Sequence, residues 1–327
     1  MNCHICLKSI TSNQKYDHYH DKCLRLLFGT SKIDPVLDFD REEFFSKRSR
    51  QHTRRTSISG VQPKLGAKIV EAKLETSGEN FTHILKPTPE GFSEAAANEH
   101  LTMEISRNFG IETARCGLVR FKTGDFVYCT LRFDKTPSGY IHQEDMMQAL
   151  GVHPRLNTNA KYDAKSYEDV GIFLREKASL PIVKEFFRRV LFNFLMSNDD
   201  YHLKNISIQY VHGYPHSIKL TPHYDALNTG VFGLQESELA LDLLNSNDGF
   251  SQPYQEWGYH TKGCFDEFAE KLGLPQKSVN SIYRAMLSNK EKVGMLVDNS
   301  LLSEDNKVKF KEEVDSRFTK FRRGYVY

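Results

Sequence analysis

Apolar residues return every fourth position at Ala97, Leu101, Ile105 and Phe109, with Ser93 ahead of the run and Gly110 behind it. That pattern predicts an amphipathic helix with a side-chain cap and a glycine stop. Upstream, residues 67–74 and 81–86 carry strand-forming side chains on either side of Thr76-Ser77-Gly78. Downstream, 117–121 and 126–133 read as a hairpin across Thr123-Gly124-Asp125. Beyond Phe133 the period becomes helical at 168–176 and 182–196, the latter with Val183, Phe186, Phe187, Val190, Phe194 and Leu195. Short strands at 206–210 and 218–221 interrupt it before helices at 265–272, 279–286 and 304–321. A small mixed lobe (57–133) followed by a mainly helical one (134–327) is a two-lobed α+β layout. Ligands tend to sit between such lobes. Residues 1–56 form a Cys/His-containing segment and a basic linker, whose Lys47, Arg48, Arg50, Arg54 and Arg55 are expected on a solvated surface.

Composition narrows the classes. Among 327 residues, 44 Lys+Arg against 42 Asp+Glu leave a net charge of +2, so direct nucleic-acid binding is not expected. A hydrophobic fraction of 39% with 12% aromatics fills a real core. No apolar run approaches the roughly 18–20 residues of a membrane span. The start Met1-Asn2-Cys3-His4-Ile5-Cys6 lacks a secretion-signal layout, and six cysteines are too few for a disulfide scaffold, so a cytoplasmic protein is expected.

The window Ser197-Asn198-Asp199-Asp200-Tyr201-His202-Leu203-Lys204-Asn205 follows an apolar helix and leads into a strand, which makes it a loop pinned at both ends. Phosphoryl transfer needs a carboxylate to take the proton of the attacking hydroxyl and an amide oxygen to help hold Mg²⁺, and the kinase catalytic loop spaces them as D-x-x-x-x-N. Asp200 and Asn205 have that spacing, and Lys204 is placed to neutralise developing phosphate charge. A second carboxylate is needed for the metal, and Asp225 in Tyr224-Asp225 supplies it, with Ala226-Leu227 where protein kinases have Phe-Gly. Lys86 on an apolar strand and Glu99 on the helix match the lysine–glutamate pair of kinases, with Asn98 as a lesser candidate. Each element alone is common on protein surfaces. Their order, with the change of texture between Glu99 and Asp200, favours a protein-kinase-like enzyme.

These residues resemble the HipA family of bacterial serine/threonine kinases, the toxins of toxin–antitoxin modules. The resemblance rests on Ser57-Ile58-Ser59-Gly60-Val61-Gln62-Pro63-Lys64-Leu65, Ile84-Leu85-Lys86, Asn98-Glu99, Arg132-Phe133-Asp134, Gln143-Glu144-Asp145, Gln148-Ala149-Leu150-Gly151, Asp200 to Asn205 and Tyr224-Asp225. It implies Asp200 as catalytic base, Asn205 and Asp225 as Mg²⁺ ligands, and a nucleotide set of Ser57, Ser59, Gly60, Lys86, Glu99, Leu131, Phe133 and His202, with Leu131 and Phe133 beside adenine. HipA-type chains carry a further domain of about 100 residues before the serine-containing loop. Here that loop begins at residue 57, so the chain looks like HipT, the kinase of tripartite HipBST systems, with a shortened HipA relative as the other reading. That likeness implies a small HipS-like partner and a HipB-like DNA-binding antitoxin component. It also implies an aminoacyl-tRNA synthetase as protein substrate, glutamyl for HipA and tryptophanyl for HipT. A small-molecule kinase, or a catalytically silent antitoxin-binding module, are the alternatives.

The family further implies autophosphorylation on the loop serines. A phosphate on Ser57 or Ser59 adds about −1.5 to −2 charges and would repel ATP, and the nearby Arg54, Arg55 and Lys64 could hold the displaced loop through charge-assisted hydrogen bonds. At the start of the chain, Cys3-x₂-Cys6 and His20-x₂-Cys23 have structural-zinc character, while Tyr19, His20 and residues 24–28 could instead form an apolar cap. Cys116, Cys129 and Cys264 read as core residues.

Overall fold

A computed structural model of the chain describes residues 1–10, 14–53, 62–136, 139–153, 159–211, 214, 217–233, 235, 237–245 and 251–323. Ser57, Ser59 and Gly60, with Arg54 and Arg55, lie outside the described residues.

Strands β1 (Leu65–Val70), β2 (Lys73–Glu75), β3 (His83–Pro87), β4 (Cys116–Arg120) and β5 (Phe126–Leu131) form one antiparallel sheet in the order β2-β1-β3-β5-β4. Period-two alternation gives the sheet two faces. Leu85, Val119, Val127 and Cys129 pack under helices α1 (Asp21–Phe28) and α2 (Arg41–Thr53), with Leu24, Leu27 and Phe28 of α1, Phe44 of α2 and Phe39 just before α2 buried there. Cys116, Leu118 and Tyr128 point the other way, into the main core with Ala97 and Leu101 of helix α3 (Ala95–Asn108).

Three local expectations change. The strand expected over 67–74 is a hairpin, because Glu71 and Ala72 take left-handed φ values of 47° and 62° and fold β2 back on β1. Ser93 does not cap α3. The N-cap is Glu94, itself left-handed and without a capping bond, because its carboxylate accepts from Ser303 N–H and Asn306 Nδ2 at 3.0 and 2.7 Å. The basic stretch expected as a solvated linker enters helix α2 at Arg41 and packs on the sheet: Ile33 and Leu37 before the helix and Phe44 within it are buried, and Gln51 bonds the backbone of Gly66 and Thr76.

The hairpin β6 (Lys135–Thr136) and β7 (Gly139–Tyr140) leads to a small sheet, in which β8 (His142–Asp145), β9 (Ser207–Tyr210) and β10 (Lys219–Leu220) run in the order β10-β9-β8. Short helices α4 (Met146–Ala149) and α5 (Ala160–Asp163) precede α6 (Tyr167–Lys177) and the central α7 (Leu180–Leu195). Phe186, Phe187, Val190 and Phe194 of α7 bury themselves against α9 (Lys262–Lys271), α10 (Gln276–Ser288) and α12 (Glu304–Arg322). Helices α8 (Gln252–Trp257) and α11 (Lys290–Asn299) complete the lobe, and α11 packs on α3 of the smaller one. Among the described residues no helix is long and apolar enough to cross a membrane.

Candidate active site

On β3, His83 and Leu85 face the N-terminal layer, so alternation turns Ile84 and Lys86 toward α3 and the space between the lobes. The register sets Lys86 opposite Tyr128, whose ring lies 5.3 Å from the ammonium. Lys86 Nζ donates to Glu99 Oε1 at 2.6 Å and also to Asp225 Oδ1. Lys86 and Glu99 are buried, with 5% and 3% exposure. An unpaired charge is costly at such depth, whereas a hydrogen-bonded set is tolerated. Burial pushes the Glu99 carboxyl up to about 7, and against burial the Lys86 and Lys64 cations hold Asp225 down at about 2. Asp225 therefore stays ionised, and Glu99 is the member of the trio that protonates first. Asp225 adopts φ 56°, a strained value for a residue with a side chain. Asn98 holds the segment that follows, since its Nδ2 donates to Asn228 O and its Oδ1 accepts from Asn228 N–H, both at 2.8 Å.

The facing wall is the loop after α7. The chain turns at Ser197 (φ 54°), which is tied to Glu313 and Gln235. Asn205 Nδ2 donates to Asp200 O at 2.7 Å, which fixes the orientation of the amide and leaves its oxygen as the acceptor. Tyr162 O–H donates to Asp200 Oδ1 at 2.7 Å, and His202 Nε2 lies 3.6 Å from the same oxygen. Burial lowers the pKa of His202, which favours the neutral ring. Tyr224 O–H donates to Lys204 O at 2.9 Å, joining this loop to the segment after β10 that carries Asp225.

Both walls line one cleft of ≈1610 Å³, larger than the roughly 300–1,000 Å³ of a small-ligand pocket. Lys86, Glu99, Leu131, Phe133, Asp200, His202, Lys204, Asn205 and Asp225 all line it. Phe133 packs on Tyr224 at 5.5 Å between ring centroids, an apolar wall beside Leu131. Asp199, Tyr128 and Tyr162 also line the cleft, and the sequence did not single them out. Tyr128 was recoverable from strand register opposite Lys86 and Asp199 from its place beside Asp200, but Tyr162 carried no signal. Cys3, Cys6, His20 and Cys23 are also brought together, at the outer edge of the sheet and away from this cleft.

The sequence profile described as the HipA-like C-terminal domain matches residues 56–293. The chain belongs to that family. A relative named "Putative kinase" from Haemophilus influenzae is 29% identical to this HipA-like chain, over 92% of it and 91% of the relative. The Shewanella oneidensis serine/threonine-protein kinase toxin HipA is 28% identical over 68% of this chain. That match takes in 52% of HipA, so the chain spans about half the length of that relative. In three dimensions the chain superimposes on Shewanella HipA from its complex with HipB and operator DNA, with TM-score 0.67, 21% identity, and 88% and 72% of the two chains covered. It also superimposes on the Helicobacter pylori proinflammatory kinase CtkA, with TM-score 0.52, 15% identity, and 78% and 90% covered. Both likenesses show a HipA-like, kinase-like α+β fold.

Proposed function

We propose that the chain is an ATP- and Mg²⁺-dependent serine/threonine protein kinase, the toxin of a cytoplasmic toxin–antitoxin system. The observation that carries this reading is Lys86 held between Glu99 and Asp225 in the cleft that also presents Asp200 and Asn205. An Asp225 carboxylate kept ionised and the Asn205 amide oxygen are hard oxygen donors, which suit Mg²⁺. Bound Mg-ATP would supply the transferable phosphoryl group. Lys86 binds and orients phosphate oxygens, and Glu99 keeps that ammonium in place. Asp200 takes the proton from the substrate hydroxyl, with Tyr162 fixing its carboxylate. Lys204 offsets charge on the transferring group, while Leu131 and Phe133 give adenine an apolar wall.

The finer reading follows the HipT resemblance. Autophosphorylation of Ser57 or Ser59, in the loop with Gly60, would switch nucleotide binding off. The protein substrate would be an aminoacyl-tRNA synthetase, tryptophanyl first, whose modification halts translation. A HipB-like DNA-binding component and a small HipS-like protein would be the partners, as the HipA complex with HipB and operator DNA suggests.

The test is phosphate transfer from labelled ATP to the chain itself and to purified synthetases, with Asp200→Asn and Asp225→Ala as controls. We expect both variants to stay folded and to lose transfer by about 10²–10⁴-fold. Label appearing only on metabolites would instead mark a small-molecule kinase. Nucleotide binding without any transfer would mark a silent antitoxin-binding module.

A further inference from the structure

Outside the cleft, Cys3, Cys6, His20 and Cys23 set their four ligand atoms within 4.8 Å of one another. We propose that they form a structural Zn²⁺ site that clasps the N-terminal segment onto the kinase-like core. Zinc bonds of about 2.3 Å to sulfur and 2.0–2.1 Å to nitrogen, at tetrahedral angles, put ligand atoms about 3.6–3.8 Å apart. His20 Nδ1 lies 3.4 Å from Cys6 Sγ and 3.8 Å from Cys23 Sγ.

The surroundings are those of a ligand set rather than of chance neighbours. The other ring nitrogen, His20 Nε2, faces Ser9 O at 3.3 Å. That contact places the N–H on Nε2 and leaves Nδ1 as the lone-pair donor, the outer-shell arrangement that orients metal-bound histidines. His20 N–H points at Cys3 Sγ at 3.5 Å, so a backbone donor supports the sulfur charge. The three cysteines carry no disulfide, and one bridge among three sulfurs would leave the third and the imidazole without a role. Three thiolates and an imidazole are a zinc set rather than a magnesium or calcium set.

The clasp grips structure that matters. Leu118 N–H donates to His4 O at 2.9 Å, and Tyr19 O–H donates to Leu118 O at 2.8 Å, so the knuckle closes the free edge of β4. Gly117 beside it has no room for a side chain, since a Cβ would meet Ile5 Cγ1 at 2.7 Å. His100 Nε2 contacts Ile5 O at 2.9 Å, which ties the knuckle to α3 one residue after Glu99. The apolar cap and the zinc site are thus one unit, with Tyr19, Leu24 and Leu27 buried beneath it.

The experiment is metal analysis of the full chain, purified under reducing conditions without chelator. About one zinc per chain is expected, and about none in the Cys6→Ser/Cys23→Ser double variant. Should that variant not fold, cobalt(II) exchange into the unaltered chain gives the same answer. Tetrahedral d–d bands with a thiolate-to-cobalt transition support the site, and octahedral cobalt overturns it. Metal-free, folded protein with three reactive thiols, or with a disulfide within the set, also overturns it. Stripping the zinc should speed hydrogen exchange at the Leu118 amide at least tenfold, and unchanged protection would sink the clasp. The transfer assay reads none of this, so the kinase reading and the zinc site stand or fall separately.

Discussion

Glu99 shows how one buried carboxyl takes on a pH dependence. Burial lifts its proton affinity more than Lys86 lowers it, giving a value near 7 against an ordinary 4.5. The folded value lies above the unfolded one. The native state therefore holds a proton between about pH 4.5 and 7 that the unfolded state has released. Glu99's contribution to stability is complete below about pH 4.5 and is lost as pH rises through about 7. Glu99→Gln removes this slope. From pH 5 to 8 the stability difference should move in the variant's favour by about 1–3 kcal/mol, measured by urea unfolding. Buried histidines such as His83 and His223, whose pKa values burial lowers, titrate alike in both proteins and cancel in the difference. Parallel curves for the two proteins would show that Glu99 is ionised throughout. The Lys86–Glu99 pair was legible in the sequence, because strand alternation and helix phase set which way each side chain points. Asp225 as a second acceptor for Lys86 was not, since 139 residues separate the two and only the packing of both lobes brings them together.

Helix α3 is the element through which the site is assembled. Glu94 bonds Ser303 and Asn306 at the start of α12, Asn98 bonds Asn228, Glu99 bonds Lys86, and His100 reaches Ile5 O. Near its end Arg107 donates to Thr113 O and Ala114 O. Nearly every residue of the helix is buried, polar ones included. The four-residue apolar period therefore revealed that a helix exists but not that its polar face is also enclosed. Where an element's pattern came from its own side chains, as in α7, the sequence showed it. Where tertiary contacts decide, it did not. Helix α2 is charged around most of its surface, and the β1–β2 turn has no glycine or asparagine to mark it. Asn98→Ala tests the role of α3. The substitution strands both the N–H and the C=O of Asn228, at roughly 1–3 kcal/mol for each unsatisfied buried group. We expect a loss of about 2–4 kcal/mol, seen as a lower denaturant midpoint with unchanged slope. A loss below about 0.5 kcal/mol would mean that the Asp225 segment is held by other contacts.

Two lobes around a cleft suggest two units of unfolding, yet the packing of the whole molecule argues for one. The main core runs without interruption from Cys116, Leu118 and Tyr128 of the sheet through Leu101 and Ile105 of α3 to Phe192, Val293 and Val297 of the helical lobe. Splitting the chain near Phe133 would expose the buried side of α3 and break Glu94 from α12, Asn98 from Asn228 and Lys86 from Asp225. Across that point α3 packs on α11 and the two lobes share one core, whereas independent domains each have their own. The second core, on the far face of the sheet, shares strands β4 and β5 with the first, so its loss strips the sheet both depend on. Calorimetry of the full chain should accordingly give one transition, with van't Hoff and calorimetric enthalpies equal within error. Two resolved transitions, or a ratio well below one, would mean that the lobes unfold separately despite their common core. In that event the cleft would be a true hinge, and the pairing of Lys86 with Asp225 a contact that opening breaks.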